Sequence, residues 1–110
     1  MTTIIPPTAP TLKKHGLTLE LWQELLGVQG GACGACGKVP KSNKLNIDHE
    51  HVRGYYSMEP ELRRTFIRGL VCYMCNKFRL ARGSTAENLL HASMYLRDYA
   101  ERKANAAKVR

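Results

Sequence analysis

Asp48-His49-Glu50-His51 and Cys72-Tyr73-Met74-Cys75-Asn76, the two ends of the segment 48–76, decide how this chain folds. A second Cys-x-x-Cys, Cys33-Gly34-Ala35-Cys36, lies just upstream. Two such pairs supply four thiolates, the ligand set of a tetrahedral zinc site, and the two-residue gaps let the sulfurs converge on one ion. Asn76 follows the last cysteine directly. On this reading zinc on Cys33, Cys36, Cys72 and Cys75 is the clamp, and the Asp-His/Asn group is what it holds in place.

Between these ends, Leu45-Asn46-Ile47 has the pattern of a short strand that delivers Asp48 and His49 at its end, and Ile67 to Val71 that of a return strand. The connection from Val52 to Arg68 is longer than a simple hairpin needs. Within it, Glu59-Pro60-Glu61-Leu62-Arg63-Arg64 suits a helical turn with Pro60 at its first position. Arg53, Arg63, Arg64 and Arg68 make this insert basic, either as a DNA-phosphate-contacting loop or as solvated arginines; Lys77 and Arg79 extend the basic set.

Upstream, Thr18 is placed to cap a helix from Leu19, with Glu20 in its first turn and Leu21, Trp22, Leu25 and Leu26 on one apolar stripe. Gly30-Gly31 should end it. Trp22 could stack on a base, but its place on the stripe favours the core. Cys33 to Gly37 reads as a zinc knuckle, and Lys38 to Asn43 as a polar turn. Residues 1–16, with Pro6, Pro7 and Pro10 among threonines, are expected to be an extended or mobile arm.

Downstream, a helix should start at the second knuckle, pass through Lys77, Phe78, Arg79 and Leu80, and stop at Gly83. Ser84-Thr85-Ala86-Glu87 has the capping-box pattern for a last helix. Its stripe of Ala86, Leu89, Leu90, Ser93, Leu96 and Ala100 suits packing on a core or on a partner helix, and His91 falls off it. A zinc-stabilised domain over residues 17–100 and a charged, fraying tail over 101–110 follow. The fold class expected is a small α+β domain.

A chain of 110 residues with 44% hydrophobic content can build one modest core, which a zinc staple would supplement. Seventeen Lys and Arg against nine Asp and Glu give a formal charge of +8, and four thiolates with one zinc would leave the chain basic. Basicity of this size favours a polyanion, with nucleic acid ahead of acidic lipid because there is no lipidation motif or long apolar run. With no signal-peptide or transmembrane pattern, a membrane partner is not expected and the cytoplasm is, where paired cysteines read as metal ligands before disulfides.

Phosphodiester hydrolysis needs a deprotonated water, a cation to neutralise charge on the phosphate and leaving oxygen, and a scaffold that holds both. Asp48 and the amide oxygen of Asn76 are hard oxygen ligands suited to Mg²⁺ or Mn²⁺, and an imidazole such as that of His49 exchanges its proton near neutral pH. Adjacent residues on a strand point to opposite sides, so Asp48 and His49 can serve one site only if the strand ends or bends there. His51 could be a second ligand, a phosphate contact or a residue orienting His49.

Gln29-Gly30-Gly31-Ala32-Cys33-Gly34-Ala35-Cys36-Gly37, Ile47-Asp48-His49-Glu50-His51 and Arg68-Gly69-Leu70-Val71-Cys72-Tyr73-Met74-Cys75-Asn76 together resemble the phage recombination endonuclease VII family of the His-Me finger (HNH) nucleases, over about Leu17 to Leu96. The resemblance implies a ββα-metal core with flanking N- and C-terminal helices, a structural zinc on the four cysteines, and a catalytic Mg²⁺ or Mn²⁺ on Asp48 and Asn76. It also implies His49 as general base and metal-dependent DNA cleavage to 5′-phosphate and 3′-hydroxyl ends. Some members resolve branched DNA such as Holliday junctions as dimers, which implies duplex, nicked or branched DNA as partner and a homodimer paired through the first or last helix. If phage-encoded, the chain would act in the cytoplasm of a bacterial host.

Two departures from the family pattern stand out. The Tyr55 to Thr65 insert lengthens the link between the histidines and the second knuckle, and the sequence ends soon after the last helix, so the C-terminal region that resolvase members use for junction binding and dimerisation is not expected in it. The competing reading is a non-catalytic zinc-stabilised DNA-binding module, for which the charge and the arginine-rich insert suffice. Metal-dependent cleavage separates the two; binding does not.

Overall fold

The computed structural model describes residues 3–80 and 83–109, and the chain divides into two units, 1–80 and 81–110. The first is built on a two-stranded antiparallel sheet, β1 (Asn46–His49) and β2 (Ile67–Val71), with a short helix α1 (Ala9–Lys14) and a longer one, α2 (Leu19–Val28), before it. This is a small α+β fold.

Helix α2 forms where its caps and periodicity direct. Thr18 Oγ1 accepts from the Leu21 amide at 3.2 Å, Trp22 and Leu26 are buried, and the chain leaves the helix at Gly30 and Gly31, both in the left-handed region. Trp22, only 1% exposed, is a core residue. Around it lie Ile4, Leu12, Leu17, Leu26, Leu45, Leu70 and Val71, continuous with Cys33, Cys72 and Cys75. The sulfur cluster thus extends the apolar core.

The sheet carries one irregularity. Asp48 pairs with Gly69 but His49 pairs with Ile67, so Arg68 is an extra residue, a bulge opposite the Asp48–His49 step. Beyond His49 the insert begins: a 3-10 turn at Tyr55–Ser57, then α3 (Pro60–Arg64) with Pro60 in its first turn. Arg63 donates to the Lys13 and Lys14 carbonyls at 3.2 and 2.8 Å, and Arg64 donates to the Gly16 carbonyl. Arg63 thus adds a donor to the last two carbonyls of α1, where i+4 partners run out, and Arg64 holds Gly16 just beyond the helix. At the crossing Gly16 has φ +69°, and a Cβ there would meet the Pro60 carbonyl oxygen at 2.7 Å.

Three local expectations are corrected. The N-terminal segment is not an extended arm throughout: Ile4 is buried, and α1 starts at Ala9 because Thr8 caps it and Pro10 sits in the first turn, where a proline costs no hydrogen bond. The helix at the second knuckle ends sooner than Gly83. After Tyr73 and Met74 it widens to a π-helical turn, Cys75–Arg79, closed by the Leu80 amide on the Cys75 carbonyl at 2.8 Å, and Leu80 then leaves helical geometry. Ala81 and Arg82 lie outside the described residues. The segment 101–109 is not a separate tail but continues α4 (Ala86–Val109), as its alanine, lysine and arginine content favours.

Considered by itself, α4 is capped by Thr85, whose Oγ1 accepts from the Asn88 amide at 3.1 Å, one residue later than the Ser84 cap of the box pattern. Leu90, Tyr95 and Leu96 on it are exposed. Among the described residues no helix is long and apolar enough to cross a membrane.

Candidate metal centre and polar cavity

The four cysteines come together from two turns. Cys33 and Cys36 sit on the loop after α2, Cys72 at the end of β2, and Cys75 on the first residue of the π-helical turn. Their sulfurs all lie within 4.8 Å of one another, with Cys36 Sγ and Cys72 Sγ 3.9 Å apart. A tetrahedron with zinc–sulfur distances of about 2.3 Å has sulfur–sulfur edges of about 3.8 Å, so the cluster is the right size for one zinc.

The donors around the sulfurs also suit thiolates. Cys33 Sγ accepts from the amides of Cys72, Ala35 and Cys36 at 3.2, 3.4 and 3.5 Å, and Cys72 Sγ accepts from that of Cys75 at 3.5 Å. Burial raises the Cys33 thiol, but the amides of Cys72, Cys36 and Ala35 outweigh it and bring it down to about 6. Burial instead pushes Cys75 up to about 12, against the Arg79 guanidinium that donates to its sulfur at 3.2 Å. One thiolate is favoured by the protein alone; four in such a space require a cation among them.

Gln29 ties this cluster to the sheet. Its Nε2 donates to the carbonyls of Ala32 and Leu70 at 2.9 and 2.8 Å, and its Oε1 accepts from the Leu70 amide at 2.8 Å. The side chain therefore pairs with β2 as a neighbouring strand would. It lies so close that a Cβ on Gly69 would meet Oε1 at 2.7 Å.

Asp48, His49, His51 and Asn76 line one cavity of about 310 Å³, together with His15, Tyr56, Pro7 and Thr11 and residues 45–47. The geometric condition set by the sequence is met because β1 ends at His49, opposite the bulge, at the step where two adjacent side chains must reach one space. Asn76, the second residue of the π-helical turn, brings an amide to the same space. His51 lies beyond the end of β1, its ring 5.1 Å from that of His49.

Asp48 is 5% exposed and held by two hydrogen bonds, from Arg68 Nε to Oδ2 at 2.8 Å and from Nη2 to Oδ1 at 2.9 Å. This fork raises the Arg68 pKa further, chiefly through the hydrogen bonds and against burial. A carboxylate has about four lone-pair sites, of which Arg68 takes two, so Asp48 and the Asn76 amide oxygen still offer the hard donors that Mg²⁺ or Mn²⁺ uses. The residues fit such an ion in donor type, with Arg68 already seated on one of them.

His49 Nδ1 lies 3.0 Å from the Glu50 carbonyl oxygen. A carbonyl only accepts, so Nδ1 carries the hydrogen and the neutral ring keeps Nε2 as a proton acceptor. The ring stacks on Tyr55 with centroids 4.0 Å apart and planes at 5°. His15 is 8% exposed, and its Nδ1 is 2.9 Å from the Tyr55 hydroxyl. Burial first, then His49, Lys14 and Arg63, lowers its pKa to about 4.

The basic residues named from sequence fall in different settings. Arg53 is exposed in the connection just before the Tyr55–Thr65 insert. Arg63 and Arg64 are engaged with backbone carbonyls of the α1 end, and Arg68 with Asp48. Lys77 donates to the Tyr73 hydroxyl at 2.9 Å, and Arg79 to Cys75. Sequence reading passed over Gln29, His15 and Tyr55 as site residues. Gln29 stood inside the quoted motif, but the other two meet across 40 positions and left no local signal.

A hairpin and a helical turn braced by four clustered cysteines sized for one metal ion, with an Asp-His step at a bulge and an asparagine lining one cavity, define a small α+β domain. Residues 9–100 match the family described as recombination endonuclease VII, and the chain belongs to that family. It is similar to the Gene 59 protein of Mycobacterium phage D29, 32% identical over 88 residues that make up 78% of this chain and 47% of that protein. It is also similar to the Gene 59 protein of Mycobacterium phage L5, 33% identical over 70 residues, 63% of this chain and 36% of that one. The chain spans about half or less of the length of these relatives. No solved structure matches it.

Proposed function

We propose that this chain is a metal-dependent DNA endonuclease with a His-Me finger core, in which His49 activates water against a phosphodiester. The convergence of Asp48, His49 and Asn76 on one cavity beside the sulfur cluster carries this reading, and membership of an endonuclease family supports it. Zinc on Cys33, Cys36, Cys72 and Cys75 is structural: four thiolates close the coordination sphere and leave no position for substrate.

His49 holds its hydrogen at Nδ1 on the Glu50 carbonyl, which fixes the tautomer and leaves Nε2 for proton abstraction. Asp48 and Asn76 would hold a divalent ion, which when bound supplies charge neutralisation for the phosphate. Arg68, already on Asp48, keeps that carboxylate oriented and its charge balanced. Of the exposed basic residues, Arg53 and Lys77 are the ones proposed for phosphate contacts.

The test is cleavage of supercoiled plasmid, single-stranded DNA and a four-way junction with Mg²⁺ or Mn²⁺. Metal-dependent nicking of any of them is expected, and a zinc-loaded protein inert on all three would refute the proposal. Comparing the junction with linear duplex of the same arms, beside sedimentation of the protein, tests whether the activity extends to junction resolution by a homodimer. One observation favours a non-catalytic DNA-binding module, the Arg68–Asp48 pair that already neutralises the carboxylate. That reading predicts salt-dependent DNA binding without cleavage.

A further inference from the structure

The insert at Tyr55–Thr65 does more than lengthen a loop. Its first residue, Tyr55, is 3% exposed, and its ring lies parallel to that of His49 at 4.0 Å. Its hydroxyl reaches the buried Nδ1 of His15 at 2.9 Å. His15 in turn follows α1 directly as its C-terminal cap, and the end of α1 is tied to α3 through Arg63 and Arg64. The insert thus grips the end of the N-terminal helix with Arg63 and the following Gly16 with Arg64, and the His15 between them contacts the tyrosine that stacks on His49.

We propose that Tyr55 and His15 form a bracket whose task is to fix the plane of the His49 ring, making both of them positioning residues for the cleavage proposed above. The inference rests on that nuclease reading only for its kinetic consequence. An imidazole on a strand end has two rotatable side-chain bonds. The Glu50 carbonyl restrains one ring atom, and the hydrogen bond alone leaves the ring free to tilt about it. A parallel aromatic face at van der Waals distance removes that tilt. Burial holds most of the Tyr55 ring in place, and the His15 contact to its hydroxyl, out of water, adds a further restraint. The low pKa of His15 is consistent with a neutral ring that takes the Tyr55 hydroxyl as its partner.

The variants Tyr55→Phe, Tyr55→Leu and His15→Phe separate the components. Tyr55→Phe keeps the stacked face and removes the hydroxyl; Tyr55→Leu removes the face; His15→Phe removes the anchor while filling its space. Each is first checked for zinc content and for the buried Trp22 fluorescence of the folded chain. The first readout needs no DNA: in proton–carbon spectra the His49 ring protons should sit upfield in wild type and Tyr55→Phe, under the Tyr55 or Phe ring current, and move to ordinary positions in Tyr55→Leu.

The second readout is single-site DNA cleavage. The proposal expects kcat to fall roughly 10- to 100-fold in Tyr55→Leu with KM little changed, because a misplaced base loses alignment and not binding. Tyr55→Phe should recover most of the loss, and His15→Phe should lie between the two. A folded, zinc-loaded Tyr55→Leu that retains both the upfield His49 signals and the wild-type kcat overturns the bracket while leaving the nuclease reading intact. A wild type that cleaves nothing overturns the nuclease reading, and the spectra alone then decide whether the bracket exists.

Discussion

Replacing Gln29 by leucine should cost this protein about 3 kcal/mol of folding stability, at about 1 kcal/mol net for each of three hydrogen bonds. The bonds lost are those from Nε2 to Ala32 and Leu70 and from the Leu70 amide to Oε1. Leucine is of similar volume, so little cavity opens. The Leu70 carbonyl keeps a donor, the Gly34 amide at 2.9 Å, but the Leu70 amide is left without that side-chain partner on a residue that is 0% exposed. For a domain of this size a loss of 3 kcal/mol lowers Tm by about 10–20 °C. Urea denaturation of the zinc-loaded protein, followed by fluorescence of Trp22, measures it. The midpoint should fall with the slope unchanged. A double-mutant cycle with Gly69→Ala adds a second check: the new methyl meets Gln29 Oε1 and breaks the same pairing, so the two costs should not add. A loss below about 0.5 kcal/mol, the lower bound for one such bond, would refute the view that this side chain completes the sheet and braces the sulfur cluster.

Three further outcomes follow from the site. His15 has its folded pKa at about 4 against 6.5 unfolded, so the unfolded chain takes up the extra proton: its contribution of up to about 3 kcal/mol is complete above pH 6.5 and is lost as pH falls towards 4. The pH dependence of urea midpoints in wild type minus His15→Phe should trace that window, and a flat difference would contradict it. Removing zinc with a chelator should unfold the first unit, since a site binding only the folded chain at a thousandfold excess over Kd contributes about 4 kcal/mol; unchanged Trp22 fluorescence and Tm would exclude a structural metal. Arg68→Met should tighten Mn²⁺ binding in the absence of DNA about fivefold, the equivalent of a pair worth about 1 kcal/mol, as read by electron paramagnetic resonance; weaker binding would mean that the arginine supports the cation instead of competing with it.

The parts of this fold visible in sequence are those fixed by near neighbours. Thr18, the Leu21–Leu26 stripe and Gly30 mark α2 because capping, periodicity and a left-handed exit are all local, and the same holds for Pro60 at the start of α3. A first strand ending in Asp48 and His49 and its return at Ile67–Val71 were legible from their apolar patterns, though β1 runs Asn46–His49 and not Leu45–Ile47. The N-terminal prolines misled because proline marks both extended segments and first turns, and only the burial of Ile4 and the Thr8 cap distinguish them. That the strand must end or bend at the Asp48–His49 step was legible, but the extra residue Arg68 opposite it was not. The grip of Arg63 on the end of α1 and the meeting of His15 with Tyr55 depend on contacts 40 or more positions apart, where residue type alone fixes no partner.

The most direct measurement is the rate of plasmid nicking by zinc-loaded wild type and zinc-loaded His49→Ala, with Mg²⁺ or Mn²⁺ supplied to both. Loss of a general base should slow the chemical step by about 100-fold or more while zinc content and Trp22 fluorescence stay those of the wild type. Equal nicking by the two proteins would contradict the role assigned to His49 at this cavity.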